Sequence, residues 1–80
     1  MEHIVYIIYS KALDVYYKGF TQNLERRLAD HSAGKSTFTS KSKDWIYVYH
    51  NVFKTKEAAL IEEKRLKKLN RLSIEKLINS

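Results

Sequence analysis

The sequence predicts an α+β domain in which a sheet of three β-strands is covered by helices. Three segments rich in aromatic and β-branched residues have the composition of strands: 3–10, 15–20 and 45–53. Helix-capping residues and apolar residues at helical spacing predict three helices: 22–32, 56–69 and 74–78, the last capped by Ser73. Because three strands alone cannot enclose a core, the helices must pack across the sheet.

The first two strands are predicted to form a hairpin. His3–Ser10, HIVYIIYS, is typical of a strand buried on both faces, and Lys11–Asp14 is polar enough for a turn. With a loop of even length, Tyr6 and Tyr17 lie on the same face, opposite each other or diagonally placed. The third strand, WIYVYHNVF, is predicted from its regular alternation of side chains. Its tyrosines are interpreted as packing residues.

The first helix carries polar residues beside its apolar stripe. Arg27 and His31 are one helical turn apart on a flank of that stripe, whereas Arg26 projects almost directly away from it. With Tyr17 just upstream, the chain brings a tyrosine, an arginine and a histidine close together. Such a grouping is unusual for a strand-to-helix corner with a purely structural role. Because Arg27 lies beside the apolar stripe and Arg26 projects away from it, the two adjacent arginines should have different roles.

The second helix begins after Thr55, a typical N-cap, and carries two adjacent acidic residues in a mostly basic sequence. Helical geometry lets both Glu62 and Glu63 approach the apolar side. Both could instead form surface pairs with neighbouring lysines, each contributing only about 0.3–0.5 kcal/mol. Helical periodicity alone does not choose between these arrangements.

Charge and composition restrict the class of protein. Fifteen Lys and Arg against nine Asp and Glu give a net charge of +6, which favours a polyanionic partner such as nucleic acid, although solubility alone can explain it. With no cysteine, disulfides and thiolate metal sites are excluded. No segment is apolar enough to cross a bilayer and the N-terminus does not resemble a signal peptide, so we expect a cytoplasmic protein without a membrane partner.

Three stretches resemble, in order and spacing, the GIY-YIG nuclease superfamily. The closest resemblance is to small single-domain members similar to the N-terminal domain of the bacterial excision-repair nuclease (excinuclease). The matching stretches are VYIIYS at 5–10, YYKGFTQNLERRLADHSAGKS at 16–36 and TKEAALIEEKRLKK at 55–68. The family is named after two short motifs, GIY and YIG. The first corresponds here to Ile4-Val5-Tyr6, which lacks the glycine, and the second to Tyr17-Lys18-Gly19, which keeps both tyrosine and glycine. The resemblance implies one domain over residues 1–80, with a three-stranded antiparallel sheet flanked by helices.

The resemblance also implies a reaction and a set of site residues. The reaction is hydrolysis of DNA phosphodiester bonds, in DNA repair or recombination, with Mg²⁺ or another divalent cation such as Mn²⁺ and no organic cofactor. The implied catalytic residues are Tyr6, Tyr17, Arg27, His31 and Glu63. The resemblance selects Glu63 over Glu62 as the metal ligand, and a lone carboxylate suits Mg²⁺, which keeps much of its hydration.

We expect Tyr6 to act as the base and Tyr17 to have a positioning role. A free phenol titrates near ~10, so Tyr6 needs a lowered pKa to act as a base. A nearby Arg27, a metal or a lysine would lower it. Arg27 also offers permanently charged donors to phosphate oxygens. His31 is expected to orient Tyr17 or relay a proton, with a structural hydrogen-bonding role as the alternative.

Several lysines are predicted to contact nucleic-acid phosphates. They are Lys18, Lys35, Lys41, Lys43, Lys67 and Lys68. An alternative to the endonuclease is a catalytically weak module of the same fold that binds nucleic acid through these residues. A protein-interaction domain has less support. The sequence specifies neither oligomeric state nor a preferred DNA structure.

Overall fold

The structure, a computed structural model, describes residues 2–32 and 41–79. Its elements in chain order are β1 (His3–Ser10), β2 (Val15–Thr21), α1 (Leu24–Ser32), β3 (Ile46–Phe53), α2 (Lys56–Lys67) and α3 (Arg71–Ile78). Every predicted strand and helix is confirmed, with ends shifted by at most three residues. The largest shift is in α3, because Asn70 rather than Ser73 is the cap. The side-chain oxygen of Asn70 accepts a hydrogen bond from the Ser73 backbone N–H at 2.9 Å.

β1 is the central strand of the sheet. The strand order is β2-β1-β3 and both pairings are antiparallel, as the family resemblance implied. The turn between β1 and β2 has an even number of residues, so Ser10 pairs with Val15 and Ile8 pairs with Tyr17. Tyr6 and Tyr17 therefore lie diagonally on one face, which confirms the predicted geometry.

A β-bulge interrupts the predicted alternation in β3. Ile7 pairs with Tyr49, whereas the next residue, Ile8, pairs with Tyr47, so Val48 is an extra residue. The prediction of regular alternation across the whole strand is therefore wrong. The bulge places Tyr47 and Tyr49 on opposite faces of the sheet.

Each face of the sheet has its own apolar core. One core is shared with α2 and α3 and includes Val5, Ile7, Ala59, Leu66 and Ile74. The other is shared with α1 and includes Tyr6, Ile8, Trp45, Leu24 and Leu28. Tyr6 is thus held beneath α1, and α2 lies across the opposite face. No helix within the described ranges combines the length and apolar character needed to span a bilayer.

Asp44 connects the start of β3 to the turn between β1 and β2. Its carboxylate accepts hydrogen bonds from the hydroxyls of Ser10 and Ser42, both at 2.5 Å, and from the backbone N–H of Ala12 at 2.9 Å. These donors stabilise the ionised form and lower the pKa of Asp44 to about 2. The carboxylate thereby fixes the entry of the third strand.

Asp44→Asn should remove an acid-sensitive part of the stability. The pKa of Asp44 is about 2 when folded and has its ordinary value of 3.8 when unfolded, so its contribution is present above about pH 4 and lost as pH falls through about 2. Melting temperatures at pH 7, 4 and 2 should decrease more steeply in the wild type than in Asp44→Asn. Glu57→Gln, at an exposed position, is the control. Identical pH dependence in wild type and Asp44→Asn would contradict the prediction.

Candidate active site

The Tyr6 hydroxyl is the centre of a buried polar cluster. The side chain has 0% exposure, and its Oη lies 2.9 Å from Nε2 of His31. The Nε–H group of Arg27 donates to the same oxygen at 3.2 Å. Three of the predicted site residues, from β1 and α1, are therefore in direct hydrogen-bonding contact.

The start of α1 determines where Arg27 and His31 lie. Asn23 caps the helix, since its side-chain oxygen accepts a hydrogen bond from the Arg26 backbone N–H at 3.1 Å. The Thr21 hydroxyl accepts one from the Asn23 N–H, also at 3.1 Å. This cap joins α1 directly to the end of β2 and places one turn of helix above Tyr6.

Tyr47 provides a second link that the sequence analysis missed. Its hydroxyl donates to the backbone carbonyl of Leu24 at 2.5 Å, and its ring meets the Tyr6 ring edge-on at 5.5 Å. Burial is the main reason that the pKa of Tyr47 is raised to about 12. Only the bulge in β3, which puts Tyr47 on the Tyr6 face, makes this contact possible.

Tyr17 completes the aromatic side of the cluster. Its ring meets the His31 ring edge-on, with centroids 5.2 Å apart, and the His31 ring also meets the Tyr6 ring edge-on, at 6.0 Å. His31, itself fully buried, is therefore in contact with both predicted tyrosines. This geometry favours an orienting role for the Tyr17 ring on His31.

Burial determines the protonation states in this cluster. It raises the pKa of Tyr6, and the hydrogen bond and charge of Arg27 lower that pKa without cancelling the rise. The expectation of a lowered Tyr6 pKa is therefore wrong for the chain itself, although Arg27 acts in the predicted direction. Burial and the Arg27 charge lower the pKa of His31.

At neutral pH the pair is therefore a neutral phenol and a neutral imidazole. Because a guanidinium can only donate, the Tyr6 oxygen accepts from Arg27 and its proton remains available for His31. We assign the His31 proton to Nδ1, which leaves Nε2 as the acceptor.

Gly19 leaves the space that the Tyr6 ring occupies. The two residues pair across β1 and β2, and a Cβ on Gly19 would lie 2.6 Å from Cζ of Tyr6 and closer still to its hydroxyl. Tyr6 thus extends across β2 at the only type of residue that has no side chain to displace it. The close approach of the Tyr6 ring is therefore a steric reason for a glycine in the Tyr17-Lys18-Gly19 motif.

Gly19→Ala should destabilise the protein by about 1–3 kcal/mol, because the added methyl overpacks a fully buried ring. The sign is informative, since alanine is intrinsically more favourable than glycine within a strand. Urea unfolding followed by circular dichroism measures the change. A variant as stable as the wild type, or more stable, would contradict the predicted close approach.

The two glutamates of α2 are directed to different neighbours. Glu62 accepts hydrogen bonds from Arg65, one of them 3.0 Å long, and from Tyr49 of β3, and these bonds lower its pKa. Glu63 pairs with Lys67 at 3.6 Å, and its charge is near enough to Tyr6 to raise the pKa of that phenol. Both form pairs along the helix, as the surface interpretation expected, and of the two only the charge of Glu63 contributes to the pKa of Tyr6.

Glu63 fits a divalent cation that needs few protein ligands. Its side chain is only 17% exposed and offers hard oxygen donors. Among residues 2–32 and 41–79, no three His, Asp or Glu side chains gather into a metal-binding cluster. Mg²⁺ commonly binds through one or two carboxylates and several waters, so a single-carboxylate site is chemically consistent with it.

The predicted phosphate-binding lysines are divided by the structure. Lys18 of β2 lies near Lys67 of α2. The pKa of Lys18 is lowered mainly by burial and also by the charge of Lys67. The other described lysines of this set are exposed: Lys41, Lys43 and Lys68. Lys35 lies outside the described residues. Of the described lysines in this set, Lys67 pairs with Glu63, and Lys18 lies near Lys67.

Comparison with known proteins identifies the family. The GIY-YIG catalytic domain matches residues 2–77. The chain belongs to the GIY-YIG family. A UPF0213 protein of Natronomonas pharaonis is 35% identical over 78 residues, which cover 96% of this chain and 91% of that protein. A UPF0213 protein of Staphylococcus haemolyticus is also 35% identical over 78 residues, covering 96% and 94%.

A solved structure confirms the fold. The solution NMR structure of a UPF0213 protein from Bacillus halodurans superposes with a TM-score of 0.64 at 32% identity, covering 99% of this chain and 84% of that one. The three-stranded antiparallel sheet with its helices is thus the fold of this GIY-YIG protein. Because GIY-YIG is a family of nuclease domains, the chain belongs to a nuclease family.

Proposed function

We propose that this GIY-YIG protein is a metal-dependent endonuclease that hydrolyses DNA phosphodiester bonds, in repair or recombination. The observation that supports this most is the Tyr6 hydroxyl held between Arg27 and His31, with Glu63 near enough to act on its ionisation. A phenol in hydrogen-bonding contact with a guanidinium and an imidazole combines anion binding with proton transfer.

Arg27 would serve two partners at once. Its Nε–H group is occupied by Tyr6, which leaves the two terminal amino groups for phosphate oxygens. In hydrolysis a water oxygen bonds to phosphorus, the bond to the leaving sugar oxygen breaks, and negative charge builds on the phosphate oxygens. A planar, permanently charged group beside them stabilises that charge.

Tyr6 and His31 would remove the proton from the attacking water, and because both are fully buried in the free protein the site must open to admit that water. Because the raised pKa of Tyr6 keeps it neutral, it can accept that proton only by passing its own to Nε2 of His31, 2.9 Å away. His31 becomes an imidazolium, whose proton is afterwards available to the leaving oxygen through Tyr6. In this proposal Tyr6 is the immediate base, His31 the final acceptor, and Tyr17 orients the imidazole.

Glu63 would hold the divalent cation, Mg²⁺ or Mn²⁺. When bound, the cation supplies Lewis-acid polarisation of the phosphate and neutralises charge on the leaving oxygen. Lys18 and Lys67 would bind neighbouring phosphates, which agrees with the net charge of +6. No organic cofactor is needed for this chemistry.

Nicking of supercoiled plasmid tests the proposal. The purified protein should convert plasmid to the nicked form with Mg²⁺ or Mn²⁺ and be inactive in EDTA. Glu63→Ala, purified identically, controls for contaminating nuclease and should be inactive. Absence of cleavage of supercoiled, branched and single-stranded DNA with either metal would contradict the proposal.

A catalytically weak nucleic-acid-binding module is the second candidate. It is supported by the missing glycine of the Ile4-Val5-Tyr6 motif and by the raised pKa of Tyr6. Salt-sensitive DNA binding without turnover, retained in Glu63→Ala, would favour this candidate over the endonuclease.

A further inference from the structure

The carboxylate proposed to hold the cation already has a positively charged partner. Nζ of Lys67 lies 3.6 Å from Oε2 of Glu63, one helical turn along α2. The Glu63 side chain is 17% exposed, whereas that of Lys67 is 57% exposed. The carboxylate is therefore largely buried, whereas the lysine is largely exposed and can leave it at little cost.

Lys67 is also close to a second ammonium group. Lys18, on the neighbouring strand β2, is partly buried, and its pKa is lowered by that burial and by the charge of Lys67. Two ammonium groups repel each other, and the negative charge of Glu63 beside Lys67 offsets the repulsion. A phosphate placed against both lysines would relieve it, because a phosphate accepts hydrogen bonds from several donors.

A cation and an ammonium compete for one carboxylate. Mg²⁺ or Mn²⁺ on Glu63 would repel Lys67, so the lysine must move before the metal can bind tightly. Lysine suits such a movement, since its charge is carried on a flexible four-carbon stem.

We propose that Lys67 is an exchangeable counter-ion of Glu63. In the free protein it pairs with Glu63; when DNA binds, it transfers with Lys18 to a backbone phosphate and leaves the carboxylate to a divalent cation. This inference rests on the proposed function and adds an order of events: DNA binding raises the metal affinity of the site, and by reciprocity the metal raises the affinity for DNA.

Lys67→Gln separates this role from a structural one, because it should change two affinities in opposite directions. Mn²⁺ binding, followed by the electron paramagnetic resonance signal of free Mn²⁺, should become about two- to fivefold tighter, the factor expected for losing a competing surface ion pair. DNA binding, followed by fluorescence anisotropy of a labelled oligonucleotide in EDTA, should become at least about twofold weaker.

Lys64→Gln is the matched control. It removes the same charge from the same helix at an exposed position next to Glu63. Its Mn²⁺ affinity should stay at the wild-type value. An equal change in the two variants would mean that net charge alone is responsible and would overturn the proposal. Tighter Mn²⁺ binding with unchanged DNA affinity in Lys67→Gln would also overturn it.

Glu63→Gln separates this inference from the proposed function. It should abolish Mn²⁺ binding at the site. If it binds Mn²⁺ like the wild type, Glu63 is not the metal ligand, and both the metal assignment and the exchange are wrong. If Glu63→Gln loses binding but Lys67→Gln behaves like Lys64→Gln, only the exchange is wrong and the metal site stands.

Discussion

Glu63→Gln should reduce Mg²⁺-dependent nicking by about 10³-fold, whereas Glu62→Gln should stay within about threefold of the wild type. Glutamine keeps the size of the side chain and removes its charge, so the site loses a cation that contributes several kcal/mol to transition-state stabilisation, each 1.36 kcal/mol being about tenfold in rate. Single-turnover rates with protein in excess over plasmid measure both variants.

The adjacent glutamate is a stringent control. Glu62 has the same charge and a similar, largely buried position, but its partners are Arg65 and Tyr49. Its substitution should cost about 0.5 kcal/mol of stability through the lost helix pair. Equal loss of activity in the two variants would mean that the acidic charge of α2, and not a metal ligand at Glu63, supports activity.

The strands and their register could be predicted because local signals agreed with the fold. The apolar run of β1 and the even length of the following turn determine which side chains share a face, so the diagonal placement of Tyr6 and Tyr17 followed from sequence. The bulge at Val48 could not be predicted. Val48 and Tyr49 both pack towards α2, and no residue in β3 indicates locally where the alternation should break.

The start of α3 shows the same limit. Asn70 and Ser73 are both favourable caps, so the local signal allows either. In the fold, Arg71 binds Asp14 of the first turn at 2.6 Å, a contact 57 positions apart in sequence, and this draws the first helical turn towards the hairpin. Tertiary contacts therefore choose between two locally equivalent beginnings.

Some features of the candidate site could likewise be predicted from the sequence, and others could not. Arg27 and His31 could be predicted to lie together because helical spacing determines it. The protonation of Tyr6 could not be predicted, because it depends on how deeply the fold buries the ring, and burial proved stronger than the favourable charge of Arg27. The choice of Glu63 over Glu62 came from the family resemblance, since helical periodicity places both glutamates near the apolar side of α2.

Arg27→Ala should lower the nicking rate by about 10²–10³-fold, and Arg26→Ala should lower it by less than about threefold. Removing one preorganised donor from a developing oxyanion typically costs about 10²–10³-fold in rate. Arg27 is such a donor and also holds the Tyr6 hydroxyl at 3.2 Å. Arg26 is exposed, and only its backbone N–H has a hydrogen bond among the described contacts, to the cap residue Asn23.

The two arginine variants separate catalysis from DNA affinity. Arg27→Ala removes a proposed phosphate contact and should weaken salt-dependent DNA binding, whereas Arg26→Ala removes an exposed charge outside the site and should weaken it less. Only Arg27→Ala should lose turnover at saturating protein. Arg27→Lys should recover little activity, because an ammonium cannot hold Tyr6 and a phosphate oxygen in one planar arrangement. Equal turnover in Arg26→Ala and Arg27→Ala would mean that the Tyr6–Arg27 hydrogen bond is structural and that the chemistry takes place elsewhere.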